Sequence, residues 1–517
     1  MNRTDWLALT LSVLAILLTG WIALNVFEGI PHLEDEFAYV WQAQVIARGE
    51  LSTPSPDNPK SFLVPFVVDY NGRRFGKYPL GWPVVLSLGE RLGLRAWVNP
   101  LLAGLGIWLT YRLGKKLLNE RIGLLAATLM LSSPFFLMNS SVLLSHPLGL
   151  VLSAGFALFW LVAVDEPDSA RGWLPTLSAA LTLGVLALSR PLTALGIALP
   201  FGIHGLILLW RGPKYIRRRV LFIGIIALLV SSLHLLWQYA VTGNALTNPY
   251  TLWWPYDKLG FGPGFGVTAD GHNLNYAWAN TKFSLNAGLS DLFGWGKLSW
   301  IFLPFGLWAL LRPHLPSSPA RRGGFFPLPM GEGQGEGRIW LLVSIFPMLA
   351  LIYAAYWVGA WLFGPRYYYE ALPGLVLLSA AGIDWLTGWP RRFSGWRMVR
   401  PLGVTALVTL LIALNAIFYT PIRIGSMQGL YGIERAALRP FLTAEAQAMT
   451  PALVIVHPEN WRQYAALLEL GNPFFDAPFV FVYHRGPRST GEIITQYPEW
   501  TVFDYSPSDP WVFHDKK

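Results

Sequence analysis

The chain has 517 residues, of which 53% are hydrophobic and only 13% charged, with a mean hydropathy of +0.40. That is about half the charged fraction of an ordinary soluble domain, which excludes a water-soluble enzyme and points to a polytopic α-helical membrane protein. Lack of cysteine excludes disulfides and thiolate metal sites, and the net charge of +9 does not indicate nucleic acid, because the basic residues cluster between apolar runs.

The first apolar run, Trp6 to about Phe27, is too long for a signal-peptide core and has no small-residue cleavage site, so it reads as a retained span. Next comes HLEDEFAYVWQAQVIARGE, with three consecutive acids, Glu34, Asp35 and Glu36. Phe37, Val40, Trp41 and Val45 fall on one helical face there, which predicts a short helix lying in the membrane interface. LSTPSPDNPK reads as a Pro-rich loop and VVDYNGRRF as a hairpin turning at Asn71-Gly72. Runs long enough to cross hydrocarbon, about 17–25 residues, lie near 6–27, 96–112, 122–141, 147–164, 173–189, 192–210, 220–241, 297–311, 339–358, 367–386 and 401–420. About eleven transmembrane helices are therefore expected. The loop at 242–296 is long and aromatic, whereas 313–338, with its GEGQGEG run, reads as a flexible loop. After Thr420 the composition changes: PALVIVH, FVFVYH and TVFDY read as strands and NWRQYAALLEL as a helix, so 421–517 is expected to form a small α/β domain.

Orientation follows from Lys and Arg in short loops. With the N-terminus cytoplasmic, the basic loops around Arg112–Arg121, Arg171, Arg211–Arg219, Arg312–Arg322 and Arg391–Arg400 all fall inside. The segments 28–80 and 242–296 and the C-terminal domain then lie outside, 313–338 lies in the cytoplasm, and the setting is the plasma (inner) membrane.

In this topology Asp35, Glu36, Lys77, His146, Arg190, His272 and Arg366 all come to the external side. Carboxylates can accept a proton from an attacking hydroxyl. Arg and Lys can hold a phosphate and stabilise charge on a leaving group. Each residue also has a plainer reading. Acids favour helix starts, Lys77 could snorkel to headgroups, His146 and His272 could be structural, and Arg190 and Arg366 could anchor at the interface. The many external Trp and Tyr residues read mainly as an aromatic belt.

The strings carrying these residues resemble the polytopic glycosyltransferases of the GT-C superfamily, nearest to the bacterial protein O-mannosyltransferase and lipid A aminoarabinose transferase group. Asp35-Glu36 with FAYVWQAQVIARGEL is similar to that group's acidic pair at the start of a helix after the first span. Phe75-Gly76-Lys77-Tyr78-Pro79-Leu80 is similar to its Lys-Pro element, and Arg366 in FGPRYYYEALP to a late Arg-Tyr segment. The resemblance is best over residues 1 to about 210 and does not reach the C-terminal domain. It implies a GT-C-like catalytic domain over 1–420 that transfers one sugar, with inversion, from a polyprenyl-phosphate carrier to a hydroxyl of a lipid, glycan or protein. Asp35 would be the base and Glu36 its support. Lys77, Arg190 and Arg366 would meet the carrier phosphate. Beside what the resemblance implies, Tyr78, His146 and His272 are expected as further substrate-binding residues on the external side. One departure stands out. Where many relatives carry a second acid between the third and fourth spans, this chain has Leu144-Ser145-His146-Pro147. No cofactor is certain on this reading: a divalent metal stays open, with His146 as the residue that would replace the missing acid. Two other classes also stay open, a secondary transporter and a membrane-anchored glycan assembly or binding protein.

Overall fold

The computed structural model describes residues 2–311, 338–360, 362–388 and 399–516. Apart from Arg338, the predicted 313–338 loop lies outside them, as do Arg312, Arg321, Arg322, Arg391, Arg392 and Arg397.

Each of the eleven apolar segments is helical over most of its length. In chain order the helices are α1 (Arg3–Asn25), α2 (Glu34–Ala47), α3 (Gly81–Leu92), α4 (Val98–Leu117), α5 (Glu120–Leu131), α6 (Pro134–Ser141), α7 (His146–Asp165), α8 (Trp173–Ser189), α9 (Pro191–Arg211) and α10 (Lys214–Thr242). Then come the short α11 (Pro249–Trp253), α12 (Leu274–Asp291), α13 (Phe302–Leu311), α14 (Ile339–Val343), α15 (Ile345–Ala354), α16 (Leu372–Thr387), α17 (Val399–Leu414) and α18 (Thr420–Gly425). Among the described residues, six helical stretches are long and apolar enough to cross a membrane. The expected span over 122–141 is instead two helices, α5 and α6, bent by 63°. The break follows from Ser132 and Ser133 preceding Pro134, which starts a new helix well but cannot continue the old one. The segments at Gly296–Leu311 and Ile339–Ala354 are shorter apolar helices. The last span does not end at Thr420. It passes through a π-helical turn at Asn415–Tyr419 and runs on to Gly425.

Exposed leucines and isoleucines on α10, among them Leu221, Ile225, Leu228, Leu229, Leu233 and Leu236, suit a lipid-facing surface. Helices inside the bundle approach closely through small residues. On α16, Gly382 faces α13 so tightly that a Cβ would lie 2.2 Å from the Phe302 carbonyl oxygen.

Charged residues collect at two ends of the bundle. At one end Lys115 pairs with Asp5 (2.9 Å) and Glu120 (2.8 Å), Lys116 with Asp165 (2.8 Å), and Arg121 with Asp384 (3.5 Å). Arg338 also pairs with Asp165. Buried Arg219 donates to the carbonyls of Ala163 (2.9 Å), Glu166 (2.5 Å) and Pro167 (2.7 Å). Helix α7 runs from this end, at Asp165, to His146 at the other. Its 20 residues span about 30 Å at 1.5 Å per residue, matching the roughly 30 Å thickness of bilayer hydrocarbon.

Over the His146 end sit α2 and a small antiparallel sheet. Strands β2 (Val67–Tyr70) and β3 (Arg73–Gly76) form the expected hairpin, with Asn71 and Gly72 both at positive φ (+51° and +72°). The Pro-rich segment adds a short edge strand, β1 (Thr53–Pro54), paired to β3. Helix α2 does not lie in an interface with one wet face. Phe37, Ala38, Tyr39, Val40, Trp41, Gln42, Ala43 and Val45 are all buried, because protein encloses the helix on every side. Gln42, off the apolar stripe, accepts from the Gly76 backbone N–H (2.7 Å) and donates to the Leu51 carbonyl (2.9 Å).

The enclosing layer is the C-terminal region. It contains α19 (Ala444–Ala448), β4 (Ala452–Val456), α20 (Trp461–Ala465), β5 (Phe479–Tyr483), α21 (Pro487–Ile494), β6 (Thr501–Tyr505) and β7 (Phe513–Asp515). The sheet order is β5-β4-β6-β7, with β4 parallel to β5 and β6, and β7 antiparallel. Phe37, Trp41 and Val45 of α2 share one apolar core with Phe441, Tyr464, Phe479 and Phe481. Arg95–Glu469 (2.5 Å) and Arg48–Asp476 (2.6 Å) reinforce the contact.

Candidate active site

The acidic triplet opens α2. Leu33 at the N-cap has no polar side chain, so Glu36 at the third helical position folds back to serve the free N–H groups. One of its oxygens accepts from the backbone of His32 (2.8 Å) and Leu33 (3.0 Å), and the other from Leu143 (2.6 Å). Glu36 is 1% exposed. Burial pushes its carboxyl pKa up, against the three backbone donors that favour the anion. Every oxygen is engaged, so Glu36 is not a second open carboxylate. It ties the start of α2 to the loop before α7. Trp82 fixes the same loop by donating to the Leu143 carbonyl (3.0 Å), as does Asn99 to that of Leu144 (2.9 Å).

Asp35 differs from its neighbour. Its side chain is 25% exposed, accepts from the Tyr78 hydroxyl, and pairs with Arg366 (Nη2 to Oδ2, 3.3 Å). Arg366 retains two buried donors, Nε and Nη1, that have no hydrogen-bond partner among the described residues. The sequence-predicted Asp35, Tyr78 and Arg366 therefore meet, although 331 positions separate the first from the last.

Lys77 follows β3, where the Phe66 carbonyl accepts its backbone N–H (2.9 Å). Its ammonium is buried among aromatic rings, 3.7 Å from the centroid of Phe66, 4.9 Å from Trp254, 5.1 Å from Tyr250 and 5.2 Å from Tyr78. It pairs with Asp257 at 3.0 Å. Asp257 in turn accepts from Tyr356 Oη (2.8 Å) and Trp357 Nε1 (3.1 Å). Burial pushes the Lys77 pKa down, opposed by the charges of Asp257 and Asp35. Asp257 was not singled out from sequence. Its only signal is a lone acid inside the aromatic string WWPYDKLG.

Arg190, at the junction of α8 and α9, donates to Ser145 Oγ (3.0 Å) and Tyr353 Oη (3.3 Å) and pairs with Glu370 (2.8 Å). Tyr39 of α2 reaches the same Ser145 hydroxyl (3.4 Å), which links this group to the helix carrying Asp35. His146 is buried, with Nδ1 3.8 Å from Glu370. Glu370 was also missed, although it lies four residues after Arg366 in RYYYE. Among the described residues no set of three or more His, Asp and Glu is placed to hold a metal ion.

His272 is not part of this cluster, contrary to expectation. Its Nε2 lies 2.9 Å from the Ala354 carbonyl, its ring stacks on Phe261, and its backbone bonds to Phe265 and Gly262. It staples the 257–272 loop to the end of α15.

Comparison with known proteins agrees with this architecture. Residues 88–237 match the family described as dolichyl-phosphate-mannose-protein mannosyltransferase. Among solved structures, ArnT from Cupriavidus metallidurans bound to undecaprenyl phosphate superposes with a TM-score of 0.57 at 14% identity, covering 97% of this chain and 90% of that one. The fold is that of the GT-C membrane glycosyltransferases, of the ArnT and protein-mannosyltransferase type. The apo state of the same ArnT gives 0.56 at 13% identity, covering 97% and 93%. No curated protein gives a significant match. The family match runs from the end of α3 to α10 and so includes Ser145, His146 and Arg190.

Proposed function

We propose that the chain is an inverting glycosyltransferase of the external membrane face. It moves a sugar from a polyprenyl-phosphate carrier to a hydroxyl of a lipid, glycan or protein, with Asp35 as the base. The observation that carries this reading is the pairing of a part-exposed carboxylate, Asp35, with an arginine, Arg366, that keeps two buried donors without a hydrogen-bond partner among the described residues. An acceptor hydroxyl at Asp35 gives up its proton to the carboxylate as its oxygen attacks the anomeric carbon. The bond from that carbon to the carrier phosphate breaks on the opposite face, which inverts the centre. The negative charge passes to the phosphate, where Arg366 and Arg190 stabilise it. Tyr78 orients Asp35 through its hydroxyl. Lys77 adds positive potential from its aromatic enclosure and meets phosphate directly only once Asp257 yields its place. Glu36 positions the helix start rather than reacting.

The expected topology agrees with the charge distribution. Basic loops share the end of the bundle opposite Asp35, which supports a cytoplasmic N-terminus and an external α2 and C-terminal region. The test is to incubate the purified protein in liposomes with polyprenyl-phosphate sugars and follow free polyprenyl phosphate. Protein-dependent release coupled to glycosylation of an acceptor is expected. Solute uptake without release from any donor would contradict the assignment and favour a transporter.

A further inference from the structure

Glu370 has a position that the transferase reading leaves without a role. It is completely buried, at 0% side-chain exposure, and among the described residues neither oxygen has an ordinary hydrogen bond. A carboxylate in such a place is costly unless a cation offsets it. Arg190 does so, with Nε 2.8 Å from Oε1. Glycine at 149 makes the approach feasible, because a Cβ there would lie 2.4 Å from Glu370 Oε1 and 3.0 Å from Arg190 Cδ. Arg190 Nε–H also donates to Thr193 Oγ1 (3.2 Å); with Nε held between Thr193 and the Glu370 carboxylate, Arg190 aims its two terminal nitrogens at Ser145 and at Tyr353, whose ring stacks on Tyr367 at 4.5 Å.

Arg366 and Glu370 belong to one 3-10 turn, Arg366–Ala371. That turn therefore gives a cation to Asp35 and an anion to Arg190, forming two crossed acid–arginine pairs around the site. Glu370 also stands 3.8 Å from His146, the position at which the sequence lacks an expected acid.

We propose that Glu370 is a positioning residue for the transfer. It acts by fixing Arg190 rather than by touching substrate. The inference rests on the transferase reading. With Glu370 neutral, the site gains net positive charge and Arg190 loses its one ionic partner among the described residues while keeping Thr193, Ser145 and Tyr353, so an anionic donor binds as well or better and reacts more slowly.

The test compares wild type, Glu370→Gln, Glu370→Asp, Arg190→Gln and the Glu370→Gln/Arg190→Gln double variant, all in liposomes with a polyprenyl-phosphate sugar. Melting temperature serves as the control for folding. Glu370→Gln should lower kcat at least about tenfold with donor KM unchanged or reduced, and Glu370→Asp should recover part of the loss. The double variant should match Arg190→Gln within about twofold, because contacting residues that act as a unit are not additive. If Arg190→Gln does not fold, Arg190→Lys provides the background for the same comparison. Wild-type kinetics in Glu370→Gln, or a double variant whose loss is the product of the two single losses, would overturn the proposal. Absence of release by wild type with any donor would instead refute the transferase reading, and this inference with it.

Discussion

Asp35 and Glu36 are adjacent in sequence, yet they meet different surroundings. A helix turns by about 100° per residue, which leaves Asp35 25% exposed beside Arg366 and drives Glu36 into the joint between α2 and the α6–α7 loop. The three consecutive acids were legible as a site. The resemblance singled out Asp35 as the base; that Glu36 is closed off could not be read, because it depends on Leu143, more than a hundred positions away. Glu36→Ala strands three backbone N–H groups, each costing about 1–3 kcal/mol when unsatisfied. Unfolding in detergent should therefore show a loss of about 3 kcal/mol or more. A loss below about 1 kcal/mol would mean that water reaches the joint.

At the scale of elements, hydropathy gave the helices and the Asn71-Gly72 hairpin, since apolar runs and turn chemistry are local. It did not give the burial of α2. Its Phe37, Val40, Trp41 and Val45 stripe fits an interface as well as a protein core, and Gln42 looks polar until Gly76 and Leu51 satisfy it. Close helix contacts are equally hidden in sequence. Gly382 permits α13 and α16 to touch, with a Cβ position 2.2 Å from the Phe302 carbonyl oxygen. Gly382→Leu should force these helices apart, with a strongly reduced yield of folded protein in detergent-solubilised size exclusion. A normal elution profile and melting temperature would show that the pair can repack.

For the molecule as a whole, the C-terminal sheet was readable as strands and a helix, but its partner was not. It seals the outer side of the helix that bears Asp35, through Trp41 and Phe37 against Phe441 and Tyr464 and through Arg95–Glu469. Trp41→Ala should destabilise by about 3–5 kcal/mol, the range for a large buried aromatic, and should loosen the C-terminal region first in limited proteolysis. Uniform protection along the whole chain would separate the two parts energetically. The polar site itself spans α2, the β3–α3 loop, the α8–α9 junction and the turn before α16. Only the fold could show that Asp257 and Glu370 answer Lys77 and Arg190.

The central claim is that Asp35 removes the acceptor proton. Polyprenyl phosphate release should be measured for wild type and Asp35→Asn, reconstituted side by side with a sugar donor and a hydroxyl acceptor. General-base contributions are typically about 10²–10⁴-fold. Release should fall by that factor in the variant while its melting temperature stays near that of wild type. Undiminished release by folded Asp35→Asn would contradict the account.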